Sequence, residues 1–358
     1  MDGDLGKMFL KDYVAKTRDF LSQTVMTEME LAKKLGDVPY LYMKHFHDMV
    51  LEGKGIRGAL VVLGYMLGGG IDLEQIYKAS TFIEIFHSGI LVQDDFMDCD
   101  PLRRGLSTMH KIFEDVGKKL GVKTTPSHYG NSIAVDVGDI SFYLSWQVLL
   151  NSGFSDDLLI KAGRFYSKYV IRLVHGQSLD ITYTGLENAT EEAILNVLWT
   201  KSGEYTSLLP LIVGYTLAGG NDATVLEAIN SYAKCFGWAF QIQDDYLGLF
   251  GDEKVLGKPI GSDIREGKNT LFVLQLRKNG SPSILKFLNG VLGNKNISQK
   301  DVFEMRRTLR ESGALDVVLQ QGWDYVVEGK KYIFKMTNDK RIQETLKSLL
   351  IYMMERTK

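Results

Sequence analysis

Apolar residues recur at three- and four-residue intervals through most of the chain, and period-2 alternation is hard to find. In one segment Ala79, Phe82, Ile83, Phe86 and Ile90 keep the spacing of a buried helix face and run directly into Gln93-Asp94-Asp95-Phe96-Met97-Asp98. In a second, Ile229, Tyr232, Ala233, Phe236 and Phe240 do the same before Gln243-Asp244-Asp245-Tyr246-Leu247-Gly248. Both endings follow one order: aliphatic, Gln, Asp, Asp, aromatic, aliphatic. Between the periodic stretches, breaks at Gly68-Gly69-Gly70, residues 124–127, 219–222 and 280–283, and Gly293-Asn294 predict interhelix loops. None is long or biased enough to be an interdomain linker. The expected fold is all-α, one helical domain over 1–358 with a smaller, more variable C-terminal helical portion.

Composition narrows the functions open to such a fold. The chain has 358 residues, 45% hydrophobic and 24% charged, enough to bury a large core. A net charge of −2 argues against a general nucleic-acid binder, so any anion chemistry must come from local basic clusters. The two cysteines, Cys99 and Cys235, form no Cys-x-x-Cys pair and support neither a disulfide framework nor a cysteine zinc site. Residues 1–13 contain acids and no signal-peptide apolar run, and no stretch reads as a transmembrane segment. The expectation is a soluble, cytoplasmic protein.

On a helix Asp94 and Asp98 lie about 400° apart, one above the other on one face, with Asp95 beside them. Such carboxylates repel and cost stability at the end of an apolar helix; a hard divalent cation relieves this. Oxygen-only ligation suits Mg²⁺, which keeps waters and combines one or two carboxylates with phosphate oxygens. A single Asp-Asp pair is ordinarily a solvated helix end; two echoing copies, each after an apolar helix, point to ligation of a diphosphate through metals.

A diphosphate also calls for cations. Lys54 and Arg57 stand three apart in a glycine-rich segment, and Arg103-Arg104-Gly105 follows the first acidic cluster by five residues. Lys258, Asp263 and Lys268 follow the second in a further glycine-rich stretch. Residues 251–258 look superficially like a P-loop, but the spacing is one residue too long and Pro259 replaces the required Ser/Thr.

Taken in order, these residues resemble the trans-prenyltransferases, the polyprenyl, farnesyl and geranylgeranyl diphosphate synthases, across nearly the whole chain. The resemblance rests on Gly-Lys-x-x-Arg ending at Arg57, His87 seven before the first Asp, Asp-Asp-x-x-Asp at 94–98, Arg103-Arg104-Gly105, Gly-Gln-x-x-Asp at 176–180, Lys201-Ser202 and Gln-x-x-Asp-Asp at 241–245. It implies helices around a deep cavity with the aspartate motifs facing each other across its mouth, usually in a homodimer. It further implies that Asp94, Asp98 and Asp244, with Asp245, ligate Mg²⁺, about three ions shared with the diphosphate. Arg103, Lys201 and Lys258 would hold the allylic diphosphate, joined on the basic side by Lys268. Lys54, Arg57, His87 and Arg104 would hold isopentenyl diphosphate, Ser202 and Gln241 would lie beside the developing carbocation, and Gln177, Asp180 and Asp263 would support the metal shell. Without the family match, His87 beside Phe86 and Ile90 reads as a core histidine.

One departure stands out: Gly248 replaces the third acid of a second Asp-Asp-x-x-Asp. Activity is expected to survive it, and the roles of Asp245 and Asp252 are left open by it. For product length, Gly89 and Ile90 leave the pocket open where short-chain synthases carry aromatic residues, and Phe86 closes it about one turn, ~5.4 Å, deeper. That favours geranylgeranyl diphosphate, with a slightly longer product second. The rival readings are a class I terpene cyclase, against which Lys54, Arg57, His87 and Arg104 argue, and a catalytically weak subunit of a heteromeric synthase, supported by Gly248 alone.

Overall fold

The structure is a computed structural model describing residues 3–103, 105–184, 186, 189–256 and 259–357. The chain runs α1 (Asp4–Lys33), α2 (Asp37–Leu51), α3 (Ile56–Leu67), α4 (Leu73–Met97), β1 (Leu102–Arg103), β2 (Leu106–Ser107), α5 (Met109–Leu120), α6 (Pro126–Leu150) and α7 (Asp156–Tyr183). It continues with α8 (Glu191–Val197), a π-helix (Leu198–Leu208), α9 (Leu209–Leu217), α10 (Ala223–Phe250), α11 (Glu253–Leu256), α12 (Ser262–Glu266), α13 (Leu271–Asn279), α14 (Pro282–Val291), α15 (Gln299–Glu311), α16 (Ala314–Met336) and α17 (Lys340–Glu355). The all-α expectation holds, with a single two-stranded antiparallel hairpin among the described residues.

Helix starts follow capping chemistry. Asp72, Thr125, Asp222 and Asp339 each accept a backbone N–H of the helix they precede, Pro126 and Pro282 stand in first turns, and Ser298 with Asp301 forms a capping box. The predicted break at 68–70 ends α3, and that at 219–222 ends α9 and caps α10.

The chain divides into two compact units. The first comprises Met8–Ala162 with Val213–Gly220. In it α4 packs against α3 and α6, and α6 against α5. Phe82, Ile83 and Phe86 of α4 are wholly buried, and every residue of α3 from Ile56 to Tyr65 is buried, as befits a helix apolar all round. Helix α6 is long and apolar enough to cross a bilayer, which the sequence reading passed over; half of its apolar window is buried inside the protein, the mark of a core helix too.

The second unit comprises Met1–Lys7, Gly163–Ile212 and Asn221–Lys358. Its central helix is α10, packed on the π-helix, α16 and α17. Tyr232 is fully buried and donates its hydroxyl to the Leu346 carbonyl at 2.9 Å. Glycine lets backbones meet: a Cβ on Gly237 would come 2.6 Å from the Gly203 Cα.

Candidate functional site

Each unit carries one of the two acidic motifs at the end of its apolar helix. In the first unit Asp94 is partly exposed and Asp95 is buried. Asp98 is the C-cap of α4, its N–H bonded to the Asp94 carbonyl. The expected row of three carboxylates therefore resolves into Asp94 and Asp98 outside and Asp95 within. Adjacent helix positions lie about 100° apart, so both members of the pair cannot share one environment.

Asp95 is held by Arg103. The guanidinium Nε donates to Asp95 Oδ1, and Nη2 lies 3.8 Å from Asp94 Oδ2. Arg103 ends β1, paired with Leu106 of β2, and Gly105 between the strands takes φ +79°. Burial drives the Asp95 carboxyl up to about 7 against the opposing pull of Arg103. Arg104 lies outside the described residues.

In the same unit Lys54 is exposed, whereas Arg57, in the first turn of α3, is 6% exposed. His87 is half-buried, one residue from wholly buried Phe86. Phe86 packs on Phe142 with ring centroids 5.3 Å apart. Ile90 is half-buried. Gly89 departs from expectation: the space beside it is not open, because a Cβ there would fall on the Ser141 hydroxyl of α6. Helix-to-helix contact with α6 requires that glycine.

In the second unit the pattern of the acidic pair recurs. Asp244 is exposed and Asp245 buried, with Gln241 Nε2 donating to Asp245 Oδ1 at 2.9 Å. Burial, then the nearby Asp263, pushes Asp245 well above the usual carboxylate range. Asp263 also borders Gly248: a Cβ there would lie 3.0 Å from Asp263 Oδ2, a tight contact. Lys268 pairs with Glu266 at 2.7 Å, and its backbone N–H donates to the Asp263 carbonyl. Lys258 lies outside the described residues.

Lys201 and Ser202 sit in the π-helix, a form that is rare and frequent at functional sites. Lys201 Nζ lies 2.6 Å from Asp180 Oδ2, joining two of the expected motifs. Gly176 allows this: a Cβ on it would come 2.7 Å from the Thr200 carbonyl carbon. Gln177 is half-buried.

Three residues escaped the sequence reading. Arg356, 3% exposed, donates to Asp244 Oδ1 at 2.5 Å and to the Phe240 carbonyl at 2.9 Å, and stacks over the Phe240 ring. No local signal links positions so far apart. Ser141 is visible only through Gly89. Glu84, a buried acid inside the apolar run of α4, could have been noticed by its charge alone.

Among the described residues, no three or more His, Cys, Asp and Glu side chains gather as a ready-made metal cage. The donors present are still those a hard cation takes: oxygen only, with a partly exposed or exposed carboxylate at each helix end. The buried acids beside them are held at a cost that positive charge would lift.

A polyprenyl synthetase family model matches residues 39–309. A geranylgeranyl diphosphate synthase of Sulfolobus acidocaldarius is 32% identical over 315 residues, 87% of each protein. A short chain isoprenyl diphosphate synthase of Methanocaldococcus jannaschii is 34% identical over 275 residues, 76% of this chain and 77% of that protein. Among solved structures, a geranylgeranyl pyrophosphate synthase from Corynebacterium glutamicum, complexed with isoprenyl diphosphate and magnesium, superposes with a TM-score of 0.90 at 27% identity, covering 97% of this chain and 99% of that one.

Proposed function

The chain belongs to the polyprenyl synthetase family and is a trans-prenyltransferase, and from that premise we propose that it condenses isopentenyl diphosphate with an allylic diphosphate to give geranylgeranyl diphosphate. The observation that carries this reading is the repeated acidic pair, exposed or partly exposed first member and buried second, at the end of one apolar helix in each unit. The name of the Sulfolobus acidocaldarius relative supports the product.

In the reaction the allylic C1–O bond breaks with its electron pair leaving on diphosphate, the alkene of isopentenyl diphosphate attacks C1, and the departed diphosphate takes a proton from the resulting cation to restore an allylic product. No protein nucleophile is needed. Mg²⁺ held by Asp94, Asp98, Asp244 and Asp245 would supply the positive charge that a departing diphosphate requires. Arg103, Lys201 and Lys258 would donate to the allylic diphosphate, with Lys268 beside them, and Asp95 and Asp180 would aim the first two. Lys54, Arg57, His87 and Arg104 would fix isopentenyl diphosphate, and Ser202 and Gln241 would present oxygen atoms to the carbocation. A terpene cyclase has no second diphosphate to hold, so Lys54 and Arg57 count against that reading. The whole chain, 1–358, is proposed as a single isoprenoid-synthase domain that works as a cytoplasmic homodimer; both cysteines are free thiols, as a reducing compartment leaves them.

The test is incubation of purified protein with labelled isopentenyl diphosphate and dimethylallyl, geranyl or farnesyl diphosphate. A linear C20 product is expected, lost with EDTA and reduced at least 100-fold in Asp94→Ala, a loss of about 2.7 kcal/mol or more in transition-state stabilisation. Cyclic hydrocarbons formed without isopentenyl incorporation would overturn the synthase reading.

A further inference from the structure

We propose that Glu84 is a positioning residue for isopentenyl diphosphate, holding in place the turn that presents Lys54 and Arg57. The proposal rests on the assignment of those two cations to that substrate. Glu84 is 5% exposed in the apolar middle of α4, a place where a carboxylate needs a donor. Its Oε1 accepts the Gly58 backbone N–H at 2.7 Å.

That N–H is one of the four that the start of α3 leaves without an intrahelical partner. A helix normally supplies its own cap from a side chain, but the N-cap here is Gly55, at φ +68°, which has none. The cap therefore comes from another helix, 26 residues along the chain.

Tyr13 of α1 closes the other side. Its ring would meet a Cβ on Gly55 at 2.6 Å, its hydroxyl occupies the place a Cβ on Gly58 would take, and Ser80 Oγ donates to that hydroxyl at 3.1 Å. Gly53 completes the enclosure, its Cβ position lying 3.6 Å from Glu84 Oε2. Residues 53–58 contain three glycines and would sample many conformations alone; Glu84 and Tyr13 leave them one. Lys54 and Arg57 belong to that fixed frame.

Steady-state kinetics of the full-length protein with each substrate varied in turn tests this. Glu84→Leu should raise KM for isopentenyl diphosphate about tenfold, about 1.4 kcal/mol, with KM for the allylic primer and kcat at saturation within about twofold. Glu84→Gln keeps a carbonyl oxygen for the Gly58 N–H and should recover most of the loss. Should E84L not fold, E84D, which withdraws the carboxylate by one methylene, is expected to show the same selective rise. A parallel rise in both KM values, a fall in kcat alone, or an unchanged KM for isopentenyl diphosphate overturns the proposal. Lys54→Ala separates the two levels: if it leaves that KM unchanged, the assignment of the loop fails and the proposal with it, whereas a responsive K54A beside an unresponsive E84L overturns the role of Glu84 alone.

Discussion

Replacing Gly89 by alanine tests the packing of α4 on α6 in a way that sequence propensity alone would misjudge. Alanine in a helix interior is favoured over glycine by about 1 kcal/mol, so an unconstrained site would be stabilised. Here the new Cβ would fall on Ser141 Oγ and lie 2.5 Å from Ser141 Cβ and 3.3 Å from the Gly138 carbonyl oxygen. Ser141 must leave its rotamer, losing its 2.6 Å bond to Gly138, and because its Cβ stays put when it does, the helices must also separate. The lost hydrogen bond costs roughly 0.5–1.5 kcal/mol and overpacking roughly 1–3 kcal/mol. Against the propensity gain, a net destabilisation of about 1–3 kcal/mol is expected. Urea unfolding monitored by circular dichroism reads it as a lower midpoint at unchanged slope. The swapped double variant Gly89→Ala with Ser141→Gly moves the side chain from one helix to the other, and should regain about 1–3 kcal/mol relative to the sum of the single changes. A Gly89→Ala protein as stable as the parent, or additive behaviour in the double variant, would refute the interlock.

Two further outcomes follow from the buried acids. Asp95 has an ordinary value of 3.8 and is pushed to about 7 in the fold, so the folded protein binds its proton more tightly than the unfolded chain. The stability this group confers is therefore full below about pH 4 and lost as pH rises to about 7, by up to roughly 4 kcal/mol in metal-free protein. Thermal unfolding in EDTA across that window should show this loss in the parent and a flatter profile in Asp95→Asn; parallel profiles would remove Asp95 as the cause. Gly248→Asp, which restores the family's third acid, should lower rather than raise activity and cost about 1–3 kcal/mol, because its Cβ would lie 3.0 Å from the Asp263 carboxylate beside buried Asp245. A faster and more stable G248D would show that Asp263 yields the space.

The parts of the fold legible in the sequence were those set by local periodicity. The buried face of α4 at Ala79, Phe82, Ile83 and Phe86, that of α10 at Ile229, Tyr232, Ala233 and Phe236, and the loop breaks all follow from spacing alone. What spacing did not reveal is set by partners distant in the chain. Which aspartate of each pair turns inward depends on what each helix packs against, and the readout of Gly89 depends on Ser141, a residue of another helix. The π-helix around Lys201 is met by α7 at Gly176 and by α10 at Gly237, against Gly203, contacts that no local spacing reveals. Arg356 reaches Asp244 across 112 positions, and nothing near either residue announces it.

The two acidic pairs are alike in sequence and differ in how their buried member is held. Asp95 is held by a full positive charge, Arg103 of the hairpin that follows α4. Asp245 is held by a neutral amide, Gln241, with a second carboxylate, Asp263, close enough to raise its proton affinity further. The guanidinium of the second pair is Arg356, and it bonds the exposed Asp244, so the buried Asp245 keeps an amide where Asp95 has an arginine. Gly248 belongs to the same arrangement. A Cβ at that position would lie 3.0 Å from Asp263 Oδ2 of α12, a contact the Asp263 side chain would have to ease by a few tenths of an ångström. The departure from the Asp-Asp-x-x-Asp pattern removes one carboxylate but leaves Asp263 beside the buried Asp245, so the acidic oxygens that remain there are the ones on which a working second motif would depend.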